Sequence, residues 1–360
     1  MSILSLKQET DLILKYSPII YFHPNEKYFP VSIDWLMKYS KLAVLNTSTN
    51  QMDIVSAPIT NNAVYNLYIS SNKQLKTDGE ILWSFGSELH KGEQPTFSVP
   101  CYTLFRYSQN NKMYITYIFL YGYNGEYPIL NLVNAGFHPA DIEHITVELS
   151  NNGQTLDRVM YGAHGTTDGR WIKAKDVQTE DGKIVAFAAL NGHGLYPEDG
   201  FAFRIGGLAN DYLGKGLKWE PSPVRIYLPD DPNFNPATMG WVAFNGRFGG
   251  ELKVNNKEGI APLLDKNWIR DIDNTDESIL KPPKIFKSKF EKQIIAIKNI
   301  LILMLIYFIF FYTLMRIDKR GKQPGKFNFN EHILTITYIL ILYLLLRGVA
   351  KKLILKYAPS

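Results

Sequence analysis

Between Tyr16 and Gly250 the apolar residues recur in short alternating runs, and no long stripe of helical period is present. Val64–Ile69, Met113–Tyr123, Ile142–Leu149, Lys183–Ala189 and Val224–Leu228 are rich in β-branched and aromatic residues and predict strands. Turn dipeptides punctuate them: Asp78-Gly79, Asn124-Gly125, Asn152-Gly153, Asp168-Gly169, Asp181-Gly182 and Asn191-Gly192. This spacing predicts a mostly β domain over residues 1–250, an antiparallel β-sandwich or jelly roll, in preference to alternating β-α units. Leu12–Tyr16 and Ile33–Tyr39 predict short helices at its front. From Glu251 to residue 293 the pattern loosens into a polar and then basic linker. There is no internal repeat and no low-complexity tract.

The pattern changes character at the C-terminus. Ile294–Met315 is a run of 22 residues interrupted only by Lys298 and Asn299, both near its start. About 20 apolar residues cross a hydrocarbon core of about 30 Å, and Lys298 is close enough to one end to snorkel. Ile333–Leu346 is shorter but extends through Ala350, with Arg347 near the far interface. It has no polar face, which counts against a buried amphipathic helix; a re-entrant or interfacial segment is the stronger rival. Pro324 and Gly325 lie in the basic loop 316–332 between the two runs, and residues 351–360 form a basic tail. The whole reads as a two-helix transmembrane hairpin, 294–315 and 333–350, that anchors the chain to a bilayer.

Charge reinforces that reading. The chain of 360 residues has 39 Lys+Arg and 34 Asp+Glu, but residues 281–360 alone hold 15 basic and 3 acidic residues. The first 280 residues therefore carry 24 basic against 31 acidic, a balance that argues against nucleic-acid binding. The inter-helix loop has five basic residues and the two flanks have nine, so the positive-inside rule places both termini, and the N-terminal domain, in the cytosol. No basic region followed by a long apolar stretch opens the chain as a signal peptide would. The sequon Asn46-Thr47-Ser48 would report the opposite topology if it were glycosylated. A single cysteine, Cys101, excludes an internal disulfide scaffold and reads as a buried structural thiol.

The stretch from Gly136 to Leu149 carries the chemistry. Read as a strand, it places Asp141, Glu143, Ile145, Val147 and Leu149 on one face, which the aliphatic residues turn inward. Ionised carboxylates beside an apolar interior are costly unless paired or bound to a cation. His138 precedes them by three residues and can reach the same place. One imidazole and up to four carboxylate oxygens suit Mg²⁺, Ca²⁺ or Mn²⁺, with Zn²⁺ less favoured. Three readings stay open: a divalent metal on His138, Asp141 and Glu143, an ion-pair or hydrogen-bond network, or simple exposure. His144, with Thr146 and Glu148, falls on the opposite face and is expected to be exposed. His164 and His193 stand among glycines and are weak candidates for a catalytic base or acid. There is no nucleophile elbow, phosphate loop or dinucleotide fingerprint.

The segment Tyr16-Ser-Pro18…Tyr21-Phe-His23-Pro-Asn-Glu26…Pro30-Val-Ser32…Trp35 resembles the opening of the vacuolar protein sorting-associated protein 62 family. Tyr121-Gly-Tyr-Asn-Gly125, His138-x-x-Asp141-x-Glu143-His144, His164-Gly, Trp171 and Asn191-Gly-His193 follow in the family's order, over about two-thirds of the chain. Ala140 and Ile142 stand where the family has Gly and Trp. The His-x-x-Asp-x-Glu spacing is also similar to the metal-binding motif of necrosis-inducing proteins of plant pathogens. Those are β-sandwiches that use a divalent cation to engage sphingolipid headgroups, and the similarity implies His138, Asp141 and Glu143 as ligands. The first resemblance implies a role in vacuolar or membrane trafficking and names no reaction. Together they imply a membrane-anchored protein that binds a lipid headgroup or glycan. A metal-dependent hydrolase and a structural trafficking adaptor are the alternatives.

Overall fold

The computed structural model describes residues 4–108, 112–129, 133–150, 153–163, 169–202, 210–252 and 259–270, together with 285–286 and 304. The chain divides into two compact units, Met1–Ile285 and Phe286–Ser360. The predicted transmembrane hairpin lies in the second and, residue 304 apart, outside the described residues. Among the described residues no helix is long and apolar enough to cross a membrane.

The first unit opens with α1 (Leu6–Lys15). Ser5 caps it by accepting from the Gln8 amide while the Gln8 side chain accepts from the Ser5 amide. Strand β1 (Ile19–Tyr21) precedes α2 (Ile33–Lys38), which Ser32 caps. Then come β2 (Ser40–Asn46), β3 (Gln51–Ser56), α3 (Asn61–Ser70) and β4 (Ile81–Phe85). Here the strand expected at Val64–Ile69 is corrected to part of α3. Thr60 accepts from the Ala63 amide, which fixes a helix start, and the buried Val64 and half-buried Leu67 share one helical face. The local β-propensity of Val, Tyr and Ile yields to the cap and to that spacing.

The chain continues through β5 (Cys101–Tyr107), β6 (Met113–Asn124), the short hairpin β7 (Tyr127–Ile129) and β8 (Val133–Ala135), and β9 (His138–Ser150). Next are β10 (Thr155–Tyr161), β11 (Arg170–Lys173), β12 (Thr179–Glu180) and β13 (Lys183–Ala188). The Asp181-Gly182 turn joins β12 to β13 with φ of 53° and 78°, the left-handed pair that a two-residue hairpin demands. Short strands β14 (Leu195–Tyr196), β15 (Gly200–Ala202), β16 (Asp211–Leu213), β17 (Lys218–Trp219), β18 (Pro223–Arg225) and β19 (Arg247–Phe248) follow, with the one-turn helices α4 (Pro236–Met239) and α5 (Asn267–Arg270).

The central sheet has the order β11-β10-β9-β6-β5-β18. A second sheet, β12-β13-β1-β17 with β14 beside β13, and a third, β19-β4-β2-β3, accompany it. The domain is mostly β, as expected, but its sheets are mixed. β1 pairs in parallel with β13, β18 with β5, and β19 with β4. These partners are far apart in sequence, so no turn dipeptide announces them.

Both faces of the central sheet are covered. Tyr117, Phe119 and Tyr121 of β6, with Ile145, Val147 and Leu149 of β9, share a core with Ile20, Ala186 and Trp219 of the second sheet. Ile118, Leu120, Ala140 and Ile142 share another with Leu42 and Trp83 of the third. β9 therefore has no solvent face, and this corrects the expectation for His144. His144 is buried, its ring stacked at 4.0 Å on Trp268. Burial, with the charges of Lys266 and Arg106, pushes its imidazole down to about 3, so it is neutral. Thr146 bonds Thr116, and Glu148 meets Arg158 at 2.8 Å and Lys112 at 3.3 Å.

Candidate functional site

The register of β6 on β9 pairs Tyr121 with Asp141 and Asn124 with His138. The candidate residues thus sit where the two longest strands reach one end of the central sheet. Asp141 and Glu143 are buried on the same face as Ile145 and Val147, as the alternation requires. Simple exposure is excluded for both.

Asp141 has a partner that the sequence did not reveal. One oxygen accepts from the Ile142 amide at 2.9 Å, and the other lies 3.2 Å from Nδ1 of His193. Nε2 of His193 donates to the Tyr28 carbonyl at 2.9 Å and stands 3.9 Å from Glu26. Burial pushes the Asp141 carboxyl up, but the His193 hydrogen bond and charge, with His138 and Lys266, outweigh it and hold the group below its ordinary 3.8. For His193, burial pushes the imidazole down, while Asp141, Glu26 and the Tyr28 carbonyl outweigh it and hold it above 6.5. The two opposite shifts describe one buried ion pair.

Glu26 ties loops to this pair. One of its oxygens accepts from the Lys27 and Tyr28 amides at 2.8 and 2.9 Å, the other from the Asn191 amide at 2.8 Å. Asn191 in turn donates to the Glu126 carbonyl at 2.6 Å, and its own carbonyl accepts from Gly125 at 2.8 Å. Gly125 has no room for a side chain, because a Cβ there would overlap the Tyr28 ring. Asn191 and His193 both hold left-handed backbone, with φ of 63° and 53°. That conformation aims the buried imidazole back under the loop.

Tyr121 stacks flat on His193, with centroids 3.8 Å apart and planes within 6°. Its hydroxyl is fully buried and has no hydrogen-bond partner among the described residues. Burial raises the phenol well above 10.0, and the charges of Glu143, Asp141 and Glu26 raise it further. A donor with no partner beside three carboxylates is an unusual feature in a native interior. Further out, the half-buried Tyr28 and Tyr123 rings lie 5.0 Å apart, and His90 stacks on Tyr123 at 4.4 Å. Burial lowers the His90 imidazole against the opposing charge of Glu88, so a neutral ring faces the rim.

His138 is half-buried, and its Nδ1 lies 2.8 Å from the Ala140 carbonyl. With Nδ1 donating, Nε2 keeps a lone pair for a ligand. Ala140 has φ of 65°, in the left-handed region that favours the Gly of the resembling family. Among the described residues no group of three or more His, Cys, Asp or Glu is gathered as a metal cage. His164 lies outside the described residues, so of the two glycine-flanked histidines only His193 is placed, and it is wholly buried. Glu26 and Tyr121 were not singled out as site residues from sequence, although both lie inside the quoted motifs.

Several solved structures are similar to this chain. NLPPya in complex with glucosamine is 10% identical, covers 70% of this chain and 88% of its own, and superposes with a TM-score of 0.35. NLPPya in complex with mannosamine gives 10%, 71%, 89% and 0.34 in the same order. Necrosis and Ethylene inducing Protein 2 from the causal agent of cocoa's Witches Broom disease gives 13%, 59%, 72% and 0.29. No curated protein matches the sequence. A family model matches residues 1–65 and 117–234, which contain every motif residue of the cluster, and on that match the chain belongs to the vacuolar protein sorting-associated protein 62 family.

Proposed function

We propose that this chain is a membrane-anchored binding protein whose β domain recognises a polyhydroxylated group, a lipid headgroup or glycan, at the end of β6 and β9. The observation that supports this most is the layering of the site. A buried network of Asp141, His193 and Glu26 fixes the loops, and above it half-buried rings of Tyr28, Tyr123 and His90 offer faces of the kind on which sugar C–H groups pack. The anchor in this reading is the hairpin 294–315 and 333–350, with the β domain cytosolic.

A divalent cation is part of the proposal. His138 through Nε2, with Asp141 and Glu143, would hold it, and its charge would draw sugar hydroxyls to the site. The unpartnered Tyr121 hydroxyl beside the same carboxylates favours an additional occupant there. The adaptor reading has its own support, since Glu26 and His193 each brace two loops. Among the described residues nothing favours the hydrolase: both His193 nitrogens are engaged and its ring is wholly buried.

The test is binding of the full chain in nanodiscs to a panel of soluble headgroups and glycans, with and without EDTA, beside Tyr123→Ala. Binding that Tyr123→Ala weakens at least tenfold supports recognition at this rim, and loss with EDTA supports the cation. No binding to any member of the panel leaves the adaptor.

A further inference from the structure

A wholly buried tyrosine hydroxyl needs a partner, because stripping it of water without replacement is costly. Tyr117 and Tyr161 conform: their hydroxyls donate to the Ile13 carbonyl at 2.7 Å and the Val185 carbonyl at 3.0 Å. Tyr121 is buried to the same degree, yet its hydroxyl has no partner among the described residues. Packing alone does not ask for that hydroxyl, since Phe119 fills the neighbouring inward position of β6 without one. The register sets Tyr121 directly across from Asp141, and its ring lies flat on His193, whose Nδ1 is 3.2 Å from Asp141. Burial raises the phenol well above 10.0, so it stays protonated; among the charges that act on it Glu143 comes first, then Asp141 and Glu26.

The hydroxyl therefore stands among carboxylates that it does not bond directly. A water bound to a cation is polarised into a strong donor, and groups that hold such waters and ligands in place tune a metal site from just outside it. We propose that Tyr121 is a positioning residue of the cation site: its hydroxyl oxygen accepts from a water on the cation that His138, Asp141 and Glu143 hold. Such an arrangement takes a cation that keeps part of its hydration shell, as Mg²⁺, Ca²⁺ and Mn²⁺ do, and disfavours Zn²⁺ closed in a tetrahedron of protein ligands. The stack on His193 fixes the ring, so the oxygen is in place before the cation arrives. This rests on the cation reading above and adds one residue to it.

The experiment uses the full chain in phosphatidylcholine nanodiscs, stripped with EDTA and dialysed, with Mn²⁺ as the probe and free Mn²⁺ counted by electron paramagnetic resonance. Tyr121→Phe and Glu143→Gln are set beside wild type, and the thermal midpoint of each is read separately in EDTA. Wild type should show a saturable Mn²⁺ site that Glu143→Gln removes. Tyr121→Phe should weaken that site about 10–100-fold while its midpoint in EDTA is no lower than that of wild type. A tyrosine with a purely structural role would give the reverse pattern. Equal Mn²⁺ affinity in Tyr121→Phe and wild type overturns this inference alone. So does a lower midpoint in EDTA, because the hydroxyl would then have a partner without the cation. Wild type with no saturable site, or with one that Glu143→Gln leaves unchanged, overturns the cation reading and this inference with it.

Discussion

Asp141→Asn isolates the buried ion pair. The amide keeps the shape of the carboxylate and one acceptor for His193, so no cavity opens and the loss is electrostatic. A hydrogen bond to a charged group contributes about 1.5–3 kcal/mol, whereas stripping one partner from a buried pair costs about 3–5 kcal/mol. Because Asn still engages Nδ1, the lower range applies, and the melting temperature of a domain this size should fall by roughly 3–12 °C. The pH dependence gives the sharper test. Asp141 is held below 3.8, so its contribution is full above that value and is lost as pH falls through the depressed one. His193 is held above 6.5, so its contribution is full below that value and is lost as pH rises through the raised one. The gap between wild type and variant should therefore be widest between those two ordinary values and close on the alkaline side. Urea unfolding of the full chain in mild detergent, across about pH 5 to 9, measures it. Parallel profiles for the two proteins throughout that range would refute the pairing.

Three further outcomes are expected. Tyr121→Phe removes an unpartnered buried hydroxyl and should raise stability by about 1 kcal/mol in thermal unfolding without ligand; an equal loss would mean the hydroxyl is satisfied by an occupant. Ala140→Gly relieves a left-handed alanine, about 1–2 kcal/mol, against one lost buried methyl, about 0.8 kcal/mol. Its melting point should stay within a few degrees of wild type, and a large drop would show that the backbone there is unstrained. Trp268→Ala removes the ring stacked on His144 and should cost about 3–5 kcal/mol by urea unfolding, with a cost under 1 kcal/mol counting against that packing.

The long strands were legible in the sequence because their alternation is local. Met113–Tyr123 and Ile142–Leu149 predict β6 and most of β9, and the inward direction of Asp141 and Glu143 followed from Ile145 and Val147. What lay beyond reach was non-local. The parallel pairing of β1 with β13 brings Glu26 and His193 together from 167 positions apart, and no period or spacing encodes that approach. The same cause explains His144. Alternation distinguishes the two faces of a strand but cannot say that a third sheet covers the second one. The α3 error was local, since Thr60 is a readable cap that β-propensity outweighed in the reading.

The central claim is that a headgroup or glycan is bound at the end of β6 and β9. Amide hydrogen exchange on the full chain, with and without a saturating soluble ligand from the headgroup panel, tests it most directly. The account predicts slowed exchange confined to residues 23–28, 121–126 and 189–194, the loops that Glu26 and His193 hold together. Protection that appears elsewhere, on the exposed edge strand β3 for example, with those three segments unchanged, would contradict it.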